Sequence, residues 1–130
     1  MGQINIRNDY LEGLEDYSSG CYISSVIMCR RVIQQGCQDK GAKKTNLFEQ
    51  IEELTIDENL KKLAQKIRLW GNMGAHPDIL LGEKVDEKDA KIAIDFVEKF
   101  LQYVYVIPKE IEEIEREVKE EQPSEGKKIE

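Results

Sequence analysis

The sequence has little proline and histidine, and each shortage excludes a kind of fold or a kind of site. Only three of the 130 residues are proline and nine are glycine, so long helices are seldom interrupted. One histidine and three cysteines cannot supply the usual Cys/His set of a zinc site, and we expect no metal and no other cofactor. No apolar run is long enough to cross a bilayer, so we expect no membrane association.

Cysteine spacing and the N-terminal segment both indicate a cytoplasmic protein. Cys21, Cys29 and Cys37 lie on one predicted helix, where a step of eight residues rises about 12 Å, too far for a disulfide. We therefore expect reduced and mostly buried thiols. The segment MGQINIRNDY lacks the basic and apolar regions of a secretory signal.

Negative charge is concentrated toward the C-terminus. The net charge is −7, and residues 108–130 hold 9 of the 26 acidic residues but only 5 of the 19 basic ones. A non-specific DNA-binding protein usually shows the opposite balance.

The predicted domain organisation is a helical domain over residues 1–107 and an acidic tail, helical or disordered, over residues 108–130. Pro108 is expected to break the helix there or to restart it at a first turn.

The spacing of apolar residues predicts an all-α bundle of four to five core helices. Asn8 or Asp9 is a candidate cap for a short first helix, and a central second helix should run to about Gln38. A short third helix should follow a cap at Thr45 or Asn46. Its expected inward residues are Leu47, Phe48, Ile51 and Leu54.

Two longer helices complete the predicted bundle. The fourth should follow a cap at Asp57 and end near His76, because Pro77 disfavours helical geometry in the residue before it. The fifth should begin after Asp86. It carries two apolar stripes, which predict burial on several sides or contact with a second subunit, and we expect a homodimer.

The most distinctive segment is RLWGNMGAH, residues 68–76. On a continuous helix Arg68, Asn72 and His76 are four residues apart and share one flank. Small residues, Gly71 among them, leave that flank uncrowded, so we expect that a ligand or another backbone could approach it. Arginine suits a phosphate, asparagine both donates and accepts, and histidine is a general acid or base near neutral pH. The three are candidate catalytic residues. The same spacing also fits a helix end that is hydrogen-bonded to its neighbours, and spacing alone leaves both interpretations open.

Arg30 and Arg31, on the central helix, are candidate phosphate-binding residues together with Arg68. Neighbouring helical residues diverge by about 100°, so one of the pair should face inward or toward the motif. The alternative is an ion pair with a glutamate of the bundle, such as Glu53 or Glu98.

Four segments together resemble one branch of the HEPN superfamily, a branch of helical domains of unknown function that are often attached to restriction or zinc-ribbon proteins. They are CYISSVIMCRRVIQ, NLFEQIEEL, LKKLAQKIRLWGNMGAHPD and DEKDAKIAIDFVEKFLQYVYVIP, in that order. The resemblance covers about residues 9–108, and GNMGAH is its most specific part. It implies a dimeric helical bundle in an anti-phage defence or RNA-processing context. It also implies that His76, Asn72 and Arg68 take the positions of the superfamily's histidine, polar residue and arginine.

Three functions remain open at this point. We expect a dimeric module that binds RNA or a nucleotide. The first alternative is a metal-independent endoribonuclease, in which His76 transfers a proton at the 2′-hydroxyl or the leaving oxygen while Arg68 holds the scissile phosphate and Asn72 orients it. The second is a non-enzymatic scaffold for dimerisation or for a protein partner.

Overall fold

The structure is a computed structural model that describes the backbone of residues 2–75 and 85–121 and the side chains of residues 5–72 and 85–120. Helices fill most of these ranges and no strand occurs in them, so the predicted all-α class is confirmed. The helices are α1 (Gly2–Ser18), α2 (Tyr22–Asp39), α3 (Leu47–Glu53), α4 (Glu58–Ala75), α5 (Glu87–Leu101), a π-helical segment (Gln102–Val106) and α6 (Ile107–Glu121).

Helix α2 is the centre of the bundle, as its broad apolar stripe predicts. It packs against α1, α3, α4 and α5. Its fully buried side chains include Val26, Val32, Ile33 and Cys37.

The predicted start of the first helix is wrong. Helix α1 begins at Gly2 instead of after Asn8 or Asp9. Asp9 lies within the helix, largely buried, and its Oδ2 accepts hydrogen bonds from Arg31 Nε at 3.2 Å and from Gln35 Nε2 at 2.5 Å. A carboxylate that could cap a helix is therefore used to join α1 to α2.

The caps predicted for α3, α4 and α5 agree with the structure. Asn46 accepts from the Glu49 amide at 2.8 Å at the start of α3, and Asp57 accepts from the Asn59 amide at 2.8 Å at the start of α4. Asp86 forms a reciprocal capping box at the start of α5. Local sequence fixes these starts because each cap bonds to an amide within three residues.

The prediction that Phe48 of α3 lies in the core is wrong. Leu47, Ile51 and Leu54 are buried, but Phe48 keeps 49 % of its surface exposed. Phe48 follows Leu47 by about 100° around the helix, which turns its ring out of the core. It lies instead beside Arg68 of α4, whose Cζ is 5.3 Å from the ring centroid.

Residues of both apolar stripes of α5 are buried in the core of the single chain, without a second subunit. Ala93 and Val97 of one stripe are fully buried, and so is Phe100 of the other. Ile92 and Tyr103 remain exposed, at 38 % and 49 %. Most of the apolar surface that predicted contact with a second subunit is thus covered within the chain.

The chain remains helical from α5 to the end of α6. The π-helical segment follows α5 directly, and the Ile107 amide donates to the Gln102 carbonyl five residues back. Pro108 lies in the first turn of α6. Proline has no amide N–H to donate, and its ring would clash with the carbonyl four residues earlier in an ordinary α-helix. The wider turn of the π-helical segment accommodates both the missing hydrogen bond and the ring. None of the described helices is long and apolar enough to cross a membrane.

Candidate phosphate-binding site

Arg30 lies where α2 crosses α4, directly against a glycine. Gly71 of α4 is buried, and a Cβ at this position would lie 2.6 Å from Arg30 Cδ and 2.9 Å from Arg30 Cβ. The aliphatic part of Arg30 therefore packs across the bare backbone of α4. Only glycine leaves room for this crossing, and the crossing brings the Arg30 guanidinium close to the flank of α4 that carries Arg68.

The Arg30 guanidinium is partly buried and lacks a counter-charge among the described residues. Its Nε is buried and has no hydrogen-bond partner there. Burial lowers the pKa of Arg30, and the positive charge of Arg68 lowers it further. Neither arginine forms an ion pair within the described part of the chain, where the ion pairs involve other residues. The two guanidinium groups therefore concentrate positive charge at this site, and the buried Arg30 Nε–H has no hydrogen-bond acceptor there.

Arg68 is held in place by contacts with its own helix and with α3. Its Nε donates to Gln65 Oε1 at 2.7 Å, one turn earlier on α4. The Gln65 amide nitrogen donates in turn to the Phe48 carbonyl at 3.0 Å and to Glu52 Oε2 at 3.0 Å. With Phe48 beside the guanidinium, these contacts fix the arginine before any ligand arrives, so less rotamer entropy is lost on binding.

Arg31 faces another part of the molecule. It pairs with Asp9 of α1 at 3.2 Å, while Arg30 packs on α4, so the two neighbours diverge as adjacent helical residues must. The predicted alternative is an ion pair with a bundle glutamate. Arg31 does form an ion pair within the bundle, but its partner is Asp9, and neither Glu53 nor Glu98 pairs with either arginine. Glu53 instead accepts from the amides of Lys43 and Lys44, and these bonds lower its pKa.

The remaining candidate residues follow Arg68 along α4. Asn72 is half-buried and lies one turn further on. The helix is described as far as Ala75, and the predicted helix end near His76, with His76 itself, lies outside the described residues. The structure thus brings Arg30 and Arg68 together on one side of α4, places Asn72 one turn beyond Arg68, and puts Arg31 on the α1 side.

The arrangement has the chemistry of an anion site. Two guanidinium groups supply several N–H donors in planar forks, which match the oxygens of a phosphate better than a point charge does. Within the described residues, no three His, Cys, Asp or Glu side chains lie close enough to share a metal ion.

Sequence reasoning missed one residue that shapes this site. Gln65 lies three residues before Arg68, and that helical spacing alone could have identified it as a partner. Gly71 was expected to leave this flank of α4 open to a ligand or another backbone, and in the structure Arg30 of α2 packs there.

These features define a helical bundle with a cationic site at the crossing of its second and fourth helices. The chain belongs to the DUF4145 family, described as a domain of unknown function, whose model matches residues 14–117. The matched range contains Arg30, Arg68, Gly71 and the segment that includes His76. Comparison with curated proteins and with solved structures gave no match.

Proposed function

We propose that this chain is an HEPN-like helical module that binds RNA or a nucleotide, and that Arg30 and Arg68 hold a phosphate group. The observation that carries the proposal is the pair of neighbouring guanidinium groups, which have no carboxylate partner among the described residues. Carboxylates outnumber cationic side chains in this chain, 26 to 19, so a purely structural pair could readily have been neutralised. A bound phosphate would offset both charges and accept hydrogen bonds from guanidinium N–H groups of the two arginines.

Phe48 supports a nucleotide or RNA over a bare phosphate ion. About half of its surface is open to solvent beside Arg68. Exposed aromatic side chains next to phosphate-binding arginines are the usual stacking surface for unpaired bases. A single-stranded RNA could place a phosphate on the arginines and a base against this ring.

Metal-independent cleavage of RNA is the second candidate function. Helix α4 continues unbroken from Arg68 through Asn72 to Ala75, so the helix that carries the phosphate site leads directly to His76. In this proposal Arg68 holds the scissile phosphate, Asn72 orients it, and His76 transfers the proton. The products would carry 2′,3′-cyclic phosphates.

The wider proposals follow the HEPN-like resemblance. They are a homodimer, a role in anti-phage defence or RNA processing, and a cytoplasmic location. The exposed side chains of Ile92, Tyr103 and Val106, along α5 and the π-helical segment, offer apolar surface for the dimer. A protein partner at the arginine site is the alternative ligand.

Binding is tested with a fluorescein-labelled single-stranded RNA in EDTA, by fluorescence anisotropy with the full chain. Arg68→Ala and Arg30→Ala should each weaken binding about tenfold, the expected loss for a hydrogen bond to a charged group. Arg68→Lys should recover part of the lost affinity, since lysine keeps the positive charge but not the planar set of N–H donors of the guanidinium. Lys62→Ala is the matched control, because it removes one charge from an exposed position of the same helix.

The same samples separate the candidate functions. Cyclic-phosphate products that disappear in both Arg68→Ala and His76→Ala would support the ribonuclease. Binding without products would support the module. If the two arginine variants bind RNA as well as Lys62→Ala does, the proposed phosphate site is wrong.

A further inference from the structure

Helix α6 presents a narrow apolar stripe that nothing in the described chain covers. Ile111, Ile114 and Val118 keep 50 %, 59 % and 53 % of their surfaces exposed. Among the described elements, only the preceding π-helical segment packs substantially against α6. The three residues, here called the α6 stripe, therefore face solvent on a helix that extends away from the core.

The stripe has the spacing of a coiled-coil seam. Ile107, Ile111, Ile114 and Val118 are separated by four, three and four residues, the alternation of the a and d positions of a heptad. Four such positions cover about three turns of helix, which is long enough to contact a second helix along its length.

The residues that border the seam are acidic. With Ile111 and Val118 at a positions, Glu110 and Glu117 occupy g positions and Glu115 occupies an e position. All three are exposed and form no ion pair within the described residues. The e and g positions determine which helix can pair with a coiled-coil seam, so these glutamates decide the partner.

Self-pairing of α6 is unfavourable in both orientations. A parallel pair would place Glu110 of one copy against Glu115 of the other, and an antiparallel pair would place Glu110 against Glu117. Like charges at these positions reduce pairing, and nucleic acid or an anionic membrane would be repelled by the same glutamates.

From this pattern we infer that α6 docks a basic amphipathic helix of another protein, one with an apolar a/d seam bordered by lysine or arginine at e and g. Such a helix would cover the α6 stripe and pair its cations with Glu110, Glu115 and Glu117. The surface is separate from the arginine site, since α6 makes no substantial contact with α4. It would allow the protein to hold a partner and an anionic ligand at the same time.

The test uses two labelled synthetic peptides of about three heptads, with Ile at a and Leu at d. One carries Lys at every e and g position and the other carries Glu. In anisotropy titrations with the full chain, the Lys peptide should bind at least about tenfold more tightly than the Glu peptide, and added salt should reduce the difference.

Variants of α6 distinguish binding through the coiled-coil seam from general attraction between opposite charges. Ile114→Asp should abolish binding of the Lys peptide. Glu117→Lys should weaken that binding about threefold to tenfold and favour the Glu peptide, whereas Glu113→Lys, the same charge change away from the seam, should alter it less than about twofold. Circular dichroism of the two lysine variants controls for loss of helix.

Four results would overturn the inference. Three of them are equal binding of the two peptides, no binding of either, and equal effects of Glu117→Lys and Glu113→Lys. The fourth is self-association of the chain that Ile114→Asp abolishes, because the occupant would then be a second copy.

Discussion

Replacing Gly71 with alanine tests whether the close crossing of α2 and α4 is required. The new Cβ would lie 2.6 Å from Arg30 Cδ and 2.9 Å from Arg30 Cβ, whereas carbon atoms in contact are normally about 3.5–4.0 Å apart. Side-chain rotation can move Cδ. The Arg30 Cβ is fixed to the backbone of α2, so the two helices must separate.

The size of the effect follows from two opposing contributions. Overpacking a well-packed contact costs about 1–3 kcal/mol, and the better helix propensity of alanine offsets up to about 1 kcal/mol. We expect a net destabilisation of about 1–2 kcal/mol. For a domain of this size that is a fall of roughly 4–8 °C in Tm.

The assay is urea denaturation followed by circular dichroism, with Gly13→Ala as the matched control. Gly13 also lies in a helix, but a Cβ there would meet Met28 Cβ at 3.3 Å, a contact that small adjustments can relieve. The control should therefore cost clearly less than Gly71→Ala. Equal costs, or a Gly71→Ala variant as stable as the wild type, would refute the argument from close approach.

The same variant links packing to the proposed function. At a temperature where Gly71→Ala remains folded, the shifted Arg30 should weaken RNA binding about as much as Arg30→Ala does. If binding is unchanged while stability falls, the contact serves the fold and Arg30 does not hold the phosphate.

Three further predictions concern the rest of the chain. At pH 8 in the folded protein iodoacetamide should modify only exposed Cys21, because burial raises the pKa of Cys29 and Cys37 to about 12; mass spectrometry counting more than one adduct per chain would contradict this. Asp86→Ala should cost about 1 kcal/mol in urea denaturation by removing the cap of α5, while Asp86→Asn should cost only a few tenths. Deleting residues 110–130 should leave Tm nearly unchanged, because the described side chains from 110 to 120 are all exposed; a large fall would show that this segment packs on the core.

The helices could be predicted from sequence because their signals are local. Asn46, Asp57 and Asp86 each bond to an amide two or three residues away, so the residue type and its spacing were enough. The fold class and the central position of α2 followed from apolar periodicity. Asp9 was misassigned because the same carboxylate suits a cap or a long-range contact, and its contacts with α2 depend on how α1 packs.

The candidate site could be predicted only in part. Helical spacing grouped Arg68 with Asn72, since both lie on α4. It could show that Arg30 and Arg31 point in different directions, but it could not show which of them meets α4, because that depends on the crossing of two helices. The residue type of Gly71 predicted an open flank on α4, but it could not predict that Arg30 packs there.

The two charged surfaces of the chain are opposite in sign, and the difference bears on how they could work together. The arginine site concentrates positive charge in a partly buried crossing, where screening by salt is weak. The glutamates of α6 are exposed to solvent, where their field is screened within about 8–10 Å in physiological salt. The acidic helix therefore need not oppose binding of RNA at the arginines. Under the two proposals, each surface would recognise its own ligand although the net charge of the chain is −7.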